Sequence, residues 1–291
     1  MFSGSIPALV TPFRDGTVDE AEYKAFVDWQ VREGSHALVP CGTTGESATL
    51  SFEEHYRVID LCIEAADGRV PVIAGCGSND TATARRHMAH SKASGAAAAL
   101  VVVPYYNKPN QDGLYAHFAA LAEASDLPII LYNVPGRTVA DLSVDTMARL
   151  AEIPTIVGVK DATGNVARVT AQRLACGQGF CQLSGNDDMA LGFMAMGGVG
   201  CISVTANVAP RLCADFQNAC LAGDWSRAIE LQDRLYPLHA ALFSDASPGP
   251  TKYALNKLRP EFGLELRLPM TPPSEASRRA VDAALSHAGL I

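Results

Sequence analysis

The sequence predicts an α/β fold, an eight-stranded parallel β/α (TIM) barrel with a C-terminal helical extension. Three observations carry that expectation. Eight short apolar runs recur along the 291 residues, each followed by a longer stretch of helical period. The runs are nearly continuous Val, Ile, Leu and Ala, the pattern of strands covered on both faces, as in parallel sheets. Their starts are mostly roughly 26 to 34 residues apart, the length of one strand-plus-helix unit, and eight such units favour a closed barrel over an open sheet.

The first strand is expected at Ile6–Val10. Asp19 and Glu22 then form a capping-box pattern, Tyr23, Phe26, Val27 and Val31 share one helical face, and Gly34 ends that helix. Strand two is expected at Ala37–Pro40, before a second box of Ser51 and Glu54, an apolar face of Ile59, Cys62 and Ile63, and a stop at Gly68. The remaining strands are read at Val70–Ala74, Ala98–Val103, Pro128–Tyr132, Thr155–Lys160, Phe180–Ser184 and Val199–Val204. Gly197-Gly198-Val199-Gly200 precedes the last strand, so it reads as a tight helix-to-strand turn and not as a phosphate cradle. Helical patterns follow at Pro210–Ala222, Ser226–Leu242 and Thr251–Leu258. The expected organisation is a barrel over 1–225 that carries the site and a helical extension over 226–291.

Composition narrows the function classes. Hydrophobic residues make up 48% and charged residues 19%, with a formal net charge of −8. No basic stripe is visible, so neither nucleic acid nor an anionic membrane is an expected partner. The N-terminal residues lack the basic head and apolar stretch of a signal peptide, and no apolar run approaches the roughly 20 residues that span a bilayer. Eight cysteines are scattered without a Cys-x-x-Cys pair, which fits reduced thiols in a cytoplasmic enzyme. His87 and His90, three apart on what reads as a surface helix, lack a partnering carboxylate or cysteine cluster, so no metal is expected. Gly75-Cys76-Gly77 follows a strand, but Asp80 stands where a third glycine would complete a dinucleotide fingerprint. No cofactor is expected.

In such barrels the chemistry sits at the carboxyl ends of the strands. Lys160 ends an expected core strand and is followed by Asp161-Ala162-Thr163-Gly164. Burial disfavours an ammonium, and a neutral lysine amine attacks ketones and aldehydes to form a Schiff base. The blander reading is a lysine that snorkels to the surface. Against it stands a convergence at other strand ends: Thr43 and Thr44 after strand two, Tyr105 and Tyr106 after strand four, Tyr132 and Arg137 at strand five, and Gly185 after strand seven. Tyr132 offers a phenol on the strand beside Lys160 to move protons. The Gly42-Thr43-Thr44-Gly45-Glu46 turn can aim backbone N–H groups at a carboxylate. Arg137 presents a planar fork for a second carboxylate.

Four motifs taken in order resemble the dihydrodipicolinate synthase family: Gly42-Thr43-Thr44-Gly45-Glu46-Ser47, Pro104-Tyr105-Tyr106-Asn107-Lys108-Pro109, Tyr132-Asn133-Val134-Pro135-Gly136-Arg137-Thr138 and Gly158-Val159-Lys160-Asp161-Ala162-Thr163-Gly164. The resemblance runs from about residue 3 to the C-terminal helices. It implies condensation of pyruvate with L-aspartate-β-semialdehyde, in the diaminopimelate and lysine pathway. By the same resemblance Lys160 is the Schiff-base lysine, and Tyr132, Thr44 and Tyr106 form a proton relay, with Tyr106 reaching in from a neighbouring subunit. Thr43 and Thr44 receive the pyruvate carboxylate, Arg137 meets the carboxylate of the semialdehyde, and Gly185 and Ile202 shape the pocket. The resemblance also implies a homo-oligomer, at least a dimer and usually a tetramer.

An effector site for lysine is implied at Ser47, Ala48, His55, Asn79 and Tyr105. Phe52 and Thr83, however, stand where lysine-inhibited members carry histidine and glutamate, so weak or absent feedback inhibition is expected. Ser247 before Pro248 departs from the asparagine of many members. Two rival functions share the scaffold: an aldolase acting on sialic acid or a 2-keto-3-deoxy sugar acid, and a pyruvate-binding regulator without turnover. Arg137 and the Thr43-Thr44 pair favour the synthase over the first, and the intact relay favours it over the second.

Overall fold

The computed structural model describes residues 2–291. The chain opens with β1 (Gly4–Pro7), a two-residue hairpin of β2 (Phe13–Arg14) and β3 (Thr17–Val18), and α1 (Glu20–Arg32). Asp15 and Gly16 turn the hairpin, both at positive φ (53° and 79°), as the common two-residue hairpin turns require. The chain continues through α2 (Phe52–Ala66), β4 (Ile73–Gly75), α3 (Thr81–Ser94), β5 (Ala98–Val102), α4 (Gln111–Ala124) and β6 (Ile129–Asn133). The short α5 (Pro135–Thr138) and α6 (Val144–Ala151) lead to β7 (Ile156–Asp161), α7 (Ala167–Cys176), β8 (Cys181–Ser184), α8 (Ala190–Ala195) and β9 (Gly200–Ser203). Four helices finish the chain: α9 (Pro210–Ala222), α10 (Trp225–Ala241), α11 (Gly249–Leu258) and α12 (Glu275–His287).

Among the described residues, seven strands form one parallel sheet in the order β1-β9-β8-β7-β6-β5-β4. The expected second strand, Ala37–Pro40, is not a regular strand. It makes isolated parallel bridges instead, Ala8 to Val39 and Leu38 to Val72, so it touches both edges of the sheet. Its regularity ends early because Pro40 lacks an N–H and Cys41 takes a positive φ of 55°. The hairpin and α12 are elements that the apolar periodicity did not announce.

Alternation along the strands sorts two layers of core. Ile6, Ala8, Val39, Ile73, Ala98, Leu100, Ile130, Tyr132, Leu183 and Ile202 form an inner cluster. Their neighbours Leu9, Leu38, Ala99, Val101, Ile129, Leu131 and Val159 face outward into a larger cluster with the helices. This is the period-two geometry of strands buried on both faces. The outer cluster also takes in Leu231, Leu235 and Leu238 of α10, Leu255 of α11, Phe262, and Val281 and Leu285 of α12. The C-terminal helices therefore share the core of the helices that flank the sheet.

The helix starts follow the sequence signals, with one difference. Ser51 and Glu54 form a complete reciprocal box at α2. At α1 only half the box forms: Asp19 accepts from the Glu22 N–H, while the Glu22 carboxylate turns to Arg259 at 3.3 Å. Phe26, fully buried, meets Phe262 edge to face at 5.2 Å, which joins α1 to the C-terminal segment. Phe26→Ala is expected to cost about 3–5 kcal/mol of unfolding free energy. Urea titration checks this, and a loss below about 1 kcal/mol would show that the site collapses around the missing ring.

Candidate active site

β6 and β7 lie side by side with Tyr132 opposite Lys160. Both side chains point inward, because Val159 and Leu131 between the inward positions belong to the outer core. Lys160 is 6% exposed and Tyr132 8%, and the Lys160 Nζ lies 4.3 Å above the centre of the Tyr132 ring. That contact places a cation or an amine against the electron-rich face of the phenol. Both residues line a small cavity of about 40 Å³ with Thr43, Ser47, Gly75, Gly77 and Val102.

The loops around this cavity are held by their own polar groups. Asn133 ends β6; its amide donates to Asp141 at 2.7 Å and its carbonyl accepts from the Leu142 N–H at 3.0 Å. That pair fixes the loop carrying Arg137. Asp161, directly after Lys160, accepts from Gln172 (2.6 Å), Arg168 (3.1 Å) and the Thr163 hydroxyl (2.6 Å), which fastens the β7 loop to α7. The Gly185 N–H donates to the Asp161 carbonyl at 2.7 Å. A Cβ at Gly185 would stand 2.6 Å from the Ala162 Cβ, so this approach of the β8 loop to the β7 loop requires glycine. Ile202 is buried in the inner cluster with Tyr132, outside the cavity's lining.

The two adjacent threonines separate. Thr43 lines the small cavity and a larger one, whereas Thr44 is buried and lines neither. The turn that divides them is tight: Cys41 and Glu46 both have φ of 55°, and the Gly45 and Glu46 N–H groups donate back to the carbonyls of Gly42 and Thr43.

The larger cavity, about 400 Å³, opens beside the first and is lined by Thr43, Ser47, Ala48, Phe52, His55, Thr83, His87, Tyr105 and Arg137, among others. Arg137 is exposed on the short α5, facing this space. Asn79 does not line it; its carbonyl accepts from the Asn107 side chain at 2.8 Å. Thr83 donates its hydroxyl to Asp80 at 2.6 Å. The reading of His87 and His90 as surface residues without a carboxylate is corrected here. His87 is 7% exposed and stacks on His55 at 4.1 Å and 16°, and His90 lies 2.9 Å from Asp60. Burial pulls both His55 and His87 below the ordinary imidazole range, His87 to about 4, with each charge also opposed by the other ring or by His90. Both rings are therefore neutral near pH 7.

Tyr106 is not brought to either cavity by its own chain. It is 95% exposed, at a φ of 71° that costs a non-glycine residue about 1–2 kcal/mol. Sequence reasoning missed one buried network behind the site. Asp187, 7% exposed, accepts from the Ser203 hydroxyl and from the N–H groups of Val204 (2.8 Å) and Thr205 (3.2 Å), while Thr205 bonds His239 at 2.8 Å. Those residues are far apart in the chain, and the one local signal was a polar cluster, Gly185-Asn186-Asp187-Asp188, after a strand.

Comparison with known proteins fits this arrangement. The model of the dihydrodipicolinate synthetase family matches residues 1–288. The chain is 69% identical over its full length, and the full length of the relative, to the 4-hydroxy-tetrahydrodipicolinate synthase of Sphingopyxis alaskensis. It is 71% identical to that of Rhizorhabdus wittichii over 290 residues, again covering all of both chains. Among solved structures, the dihydrodipicolinate synthase of Aquifex aeolicus shares 44% identity with a TM-score of 0.97 over 99% of each chain. The chloride-inhibited enzyme of Acinetobacter baumannii, solved with pyruvate, shares 46% with a TM-score of 0.97 over all of both. A buried lysine against a tyrosine at the carboxyl end of a parallel sheet, in a chain matched along nearly its whole length, leads to one conclusion: this protein belongs to the dihydrodipicolinate synthetase family.

Proposed function

We propose that the protein condenses pyruvate with L-aspartate-β-semialdehyde to 4-hydroxy-tetrahydrodipicolinate, as a Schiff-base lyase of lysine and diaminopimelate biosynthesis. The observation that carries the reading is the buried Lys160 amine on the face of Tyr132, in a cavity bordered by Thr43. The Lys160 amine adds to the pyruvate ketone and water leaves, giving an iminium. The iminium withdraws electrons from the methyl group, a proton departs, and the resulting enamine attacks the aldehyde carbon. The amine of the joined product then displaces Lys160 from the former ketone carbon and closes the ring.

Tyr132 moves protons at the imine, and the Gly42–Glu46 turn receives the pyruvate carboxylate through Thr43 and backbone N–H groups. The Thr44 hydroxyl, buried in the same turn, is assigned to the relay between Tyr132 and Tyr106, and Thr43, which borders the cavity, to the carboxylate. Thr44→Val is therefore expected to cut kcat by about 100-fold, within the range for a lost proton-transfer group, and Thr43→Val to act chiefly by raising pyruvate KM. Steady-state kinetics on both variants checks the assignment, and a larger loss of kcat in Thr43→Val moves the relay role to Thr43. Arg137, exposed on the larger cavity without an ion pair among the described residues, is assigned to the semialdehyde carboxylate. Gly185 and Ile202 shape the pocket, Gly185 by close loop approach and Ile202 by packing in the inner cluster with Tyr132.

The architecture we infer is a closed eight-membered β/α barrel. Residues 37–40 serve as the stave between β1 and β4, supported by the bridges to both edges. The C-terminal helical extension over 226–291 packs onto the barrel side. A homo-oligomer, at least a dimer, is supported by the fully exposed Tyr106, whose strained loop holds a phenol out toward a neighbouring copy to complete the relay. The eight cysteines are all free thiols, which supports a reducing, cytoplasmic location. No helix is long and apolar enough to cross a membrane among the described residues.

Ser47, Ala48, His55 and Tyr105 line the larger cavity, where the family's effector would sit, with Asn79 at its margin. Among the described residues its lining holds no carboxylate, and Phe52 and Thr83 give an ammonium no acidic partner. Millimolar L-lysine is expected to change the rate by less than about twofold, since an unpaired desolvated ammonium binds poorly. Strong inhibition at that concentration would sink this reading.

The test of function is turnover of pyruvate and L-aspartate-β-semialdehyde, followed by NADPH consumption with an added downstream reductase. Robust turnover establishes the synthase. A pyruvate adduct trapped on Lys160 by borohydride without turnover turns the search to sugar-acid aldolases or a binding role.

A further inference from the structure

The turn that carries Thr43 and Thr44 is held from behind by residues near the other end of the chain. Glu46, the last residue of the turn, is 5% exposed with a backbone φ of 55°. Its Oε1 lies 2.6 Å from the Nζ of Lys252 in α11, and both side chains are at most 2% exposed. Its Oε2 accepts from the backbone N–H of Arg267 at 3.0 Å. Lys252 also donates to the Glu265 carbonyl at 2.8 Å and sits 4.3 Å above the Phe13 ring. The Arg267 guanidinium packs on the same ring at 4.3 Å and donates to Glu54 and to the carbonyls of Thr49 and Gly16. From the barrel side, the Thr11 hydroxyl donates to the Gly45 carbonyl at 2.8 Å, and a Cβ on Gly45 would stand 2.9 Å from the Leu9 carbonyl oxygen.

A buried ion pair is a poor way to gain stability, since apolar residues of the same volume stabilise as much or more. What it does supply is direction: neither charge can move without leaving the other desolvated and unpaired. Here one of the two belongs to the turn whose hydroxyl borders the Lys160 cavity. We propose that Glu46 and Lys252 are positioning residues, whose buried pair fixes the Gly42–Glu46 turn so that Thr43 and the turn's N–H groups meet the carboxylate of pyruvate. This rests on the assignment of that turn to pyruvate given above.

The ionisation of Lys252 gives the clamp a readout. Burial pulls its ammonium down to about 8, against the opposing pull of Glu46 and Glu265, with Arg267 adding to the descent. The charge that holds Glu46 is thus lost just above neutral pH. For Lys252 taken alone, folding does not weaken over that range. A lysine whose folded value lies below the unfolded value of about 10.4 makes the folded state more favourable as pH rises between the two.

The test compares pyruvate KM, semialdehyde KM and adduct formation in Glu46→Gln, Lys252→Met, their double variant and Lys252→Arg, beside the unaltered enzyme from pH 7 to 9.5. Glu46→Gln and Lys252→Met are each expected to raise pyruvate KM about tenfold or more while semialdehyde KM stays within about twofold, and the double variant to be no worse than the poorer single. In the unaltered enzyme pyruvate KM is expected to climb about tenfold between pH 7.5 and 9.5, and in Lys252→Arg to stay flat, because arginine keeps its charge. Folded variants that lose melting temperature but keep pyruvate KM overturn the proposal. So does a flat profile in the unaltered enzyme, or a parallel climb in Lys252→Arg. If the Glu46 and Lys252→Met variants do not fold, the two pH profiles decide. Absence of turnover in the unaltered enzyme is a different failure, of the functional reading itself, and takes the clamp with it.

Discussion

Lys160→Ala is expected to lower turnover by about 10⁴-fold or more, because it removes the covalent route altogether and not one contact along it. The amine stands 4.3 Å over the Tyr132 ring in a cavity otherwise lined by Thr43, Ser47, glycines and apolar side chains. Nothing else in that lining forms an imine. Stability should move little: the change empties a polar cavity without stranding a partner, since Lys160 lacks an ion-pair partner among the described residues. The measurement is the reductase-coupled rate together with mass spectrometry after borohydride treatment in pyruvate. A variant within tenfold of the unaltered rate, or one that still traps pyruvate on the same peptide, would remove Lys160 from its role.

Tyr132→Phe is expected to cost about 10²–10³ in kcat, the contribution of a positioned acid–base group. The substitution is informative because it divides the side chain. The ring is packed in the inner cluster and carries the Lys160 amine on its face, so phenylalanine keeps the packing and the cation–π contact. Only the hydroxyl goes. Trapping of pyruvate on Lys160 should persist at a reduced rate, and the melting temperature should stay within a few degrees, as for other surface-neutral or isosteric changes. A kcat within threefold of the unaltered enzyme would pass the proton work to another group.

Much of this was legible in the chain. The apolar runs located all seven strands of the parallel sheet, because strands buried on both faces cannot dilute their hydrophobicity with polar alternation. Their edges shifted by up to three residues: Val70–Ala74 became Ile73–Gly75, since Pro71 cannot enter a ladder from its nitrogen and the pairing begins beyond it. Lys160 and Tyr132 were readable because a charged and a polar side chain at the ends of neighbouring core strands violate the pattern that surrounds them.

Other features were not readable, for reasons of geometry. Whether Thr43 or Thr44 faces the cavity depends on turn dihedrals at Cys41 and Glu46, where two non-glycine residues adopt positive φ. The burial of His87 depends on α3 packing against α2, which no local period on a weakly amphipathic helix announces. Glu46 with Lys252, and Asp187 with Ser203 and Thr205, are pairings across distant segments, and a single sequence holds no record of who meets whom.

The grip of α11 and Arg267 on the Gly42–Glu46 turn also sets an order of events during synthesis. β1 gains its regular ladder partner only when β9 has been made, and the turn near residue 44 finds its anchor only when residues 252 and 267 have emerged. A ribosome-bound or prematurely terminated chain can therefore hold every residue of the Lys160 cavity and still lack the support of the Gly42–Glu46 turn. The last seventh of the polypeptide thus supplies the anchor for a turn made some two hundred residues earlier.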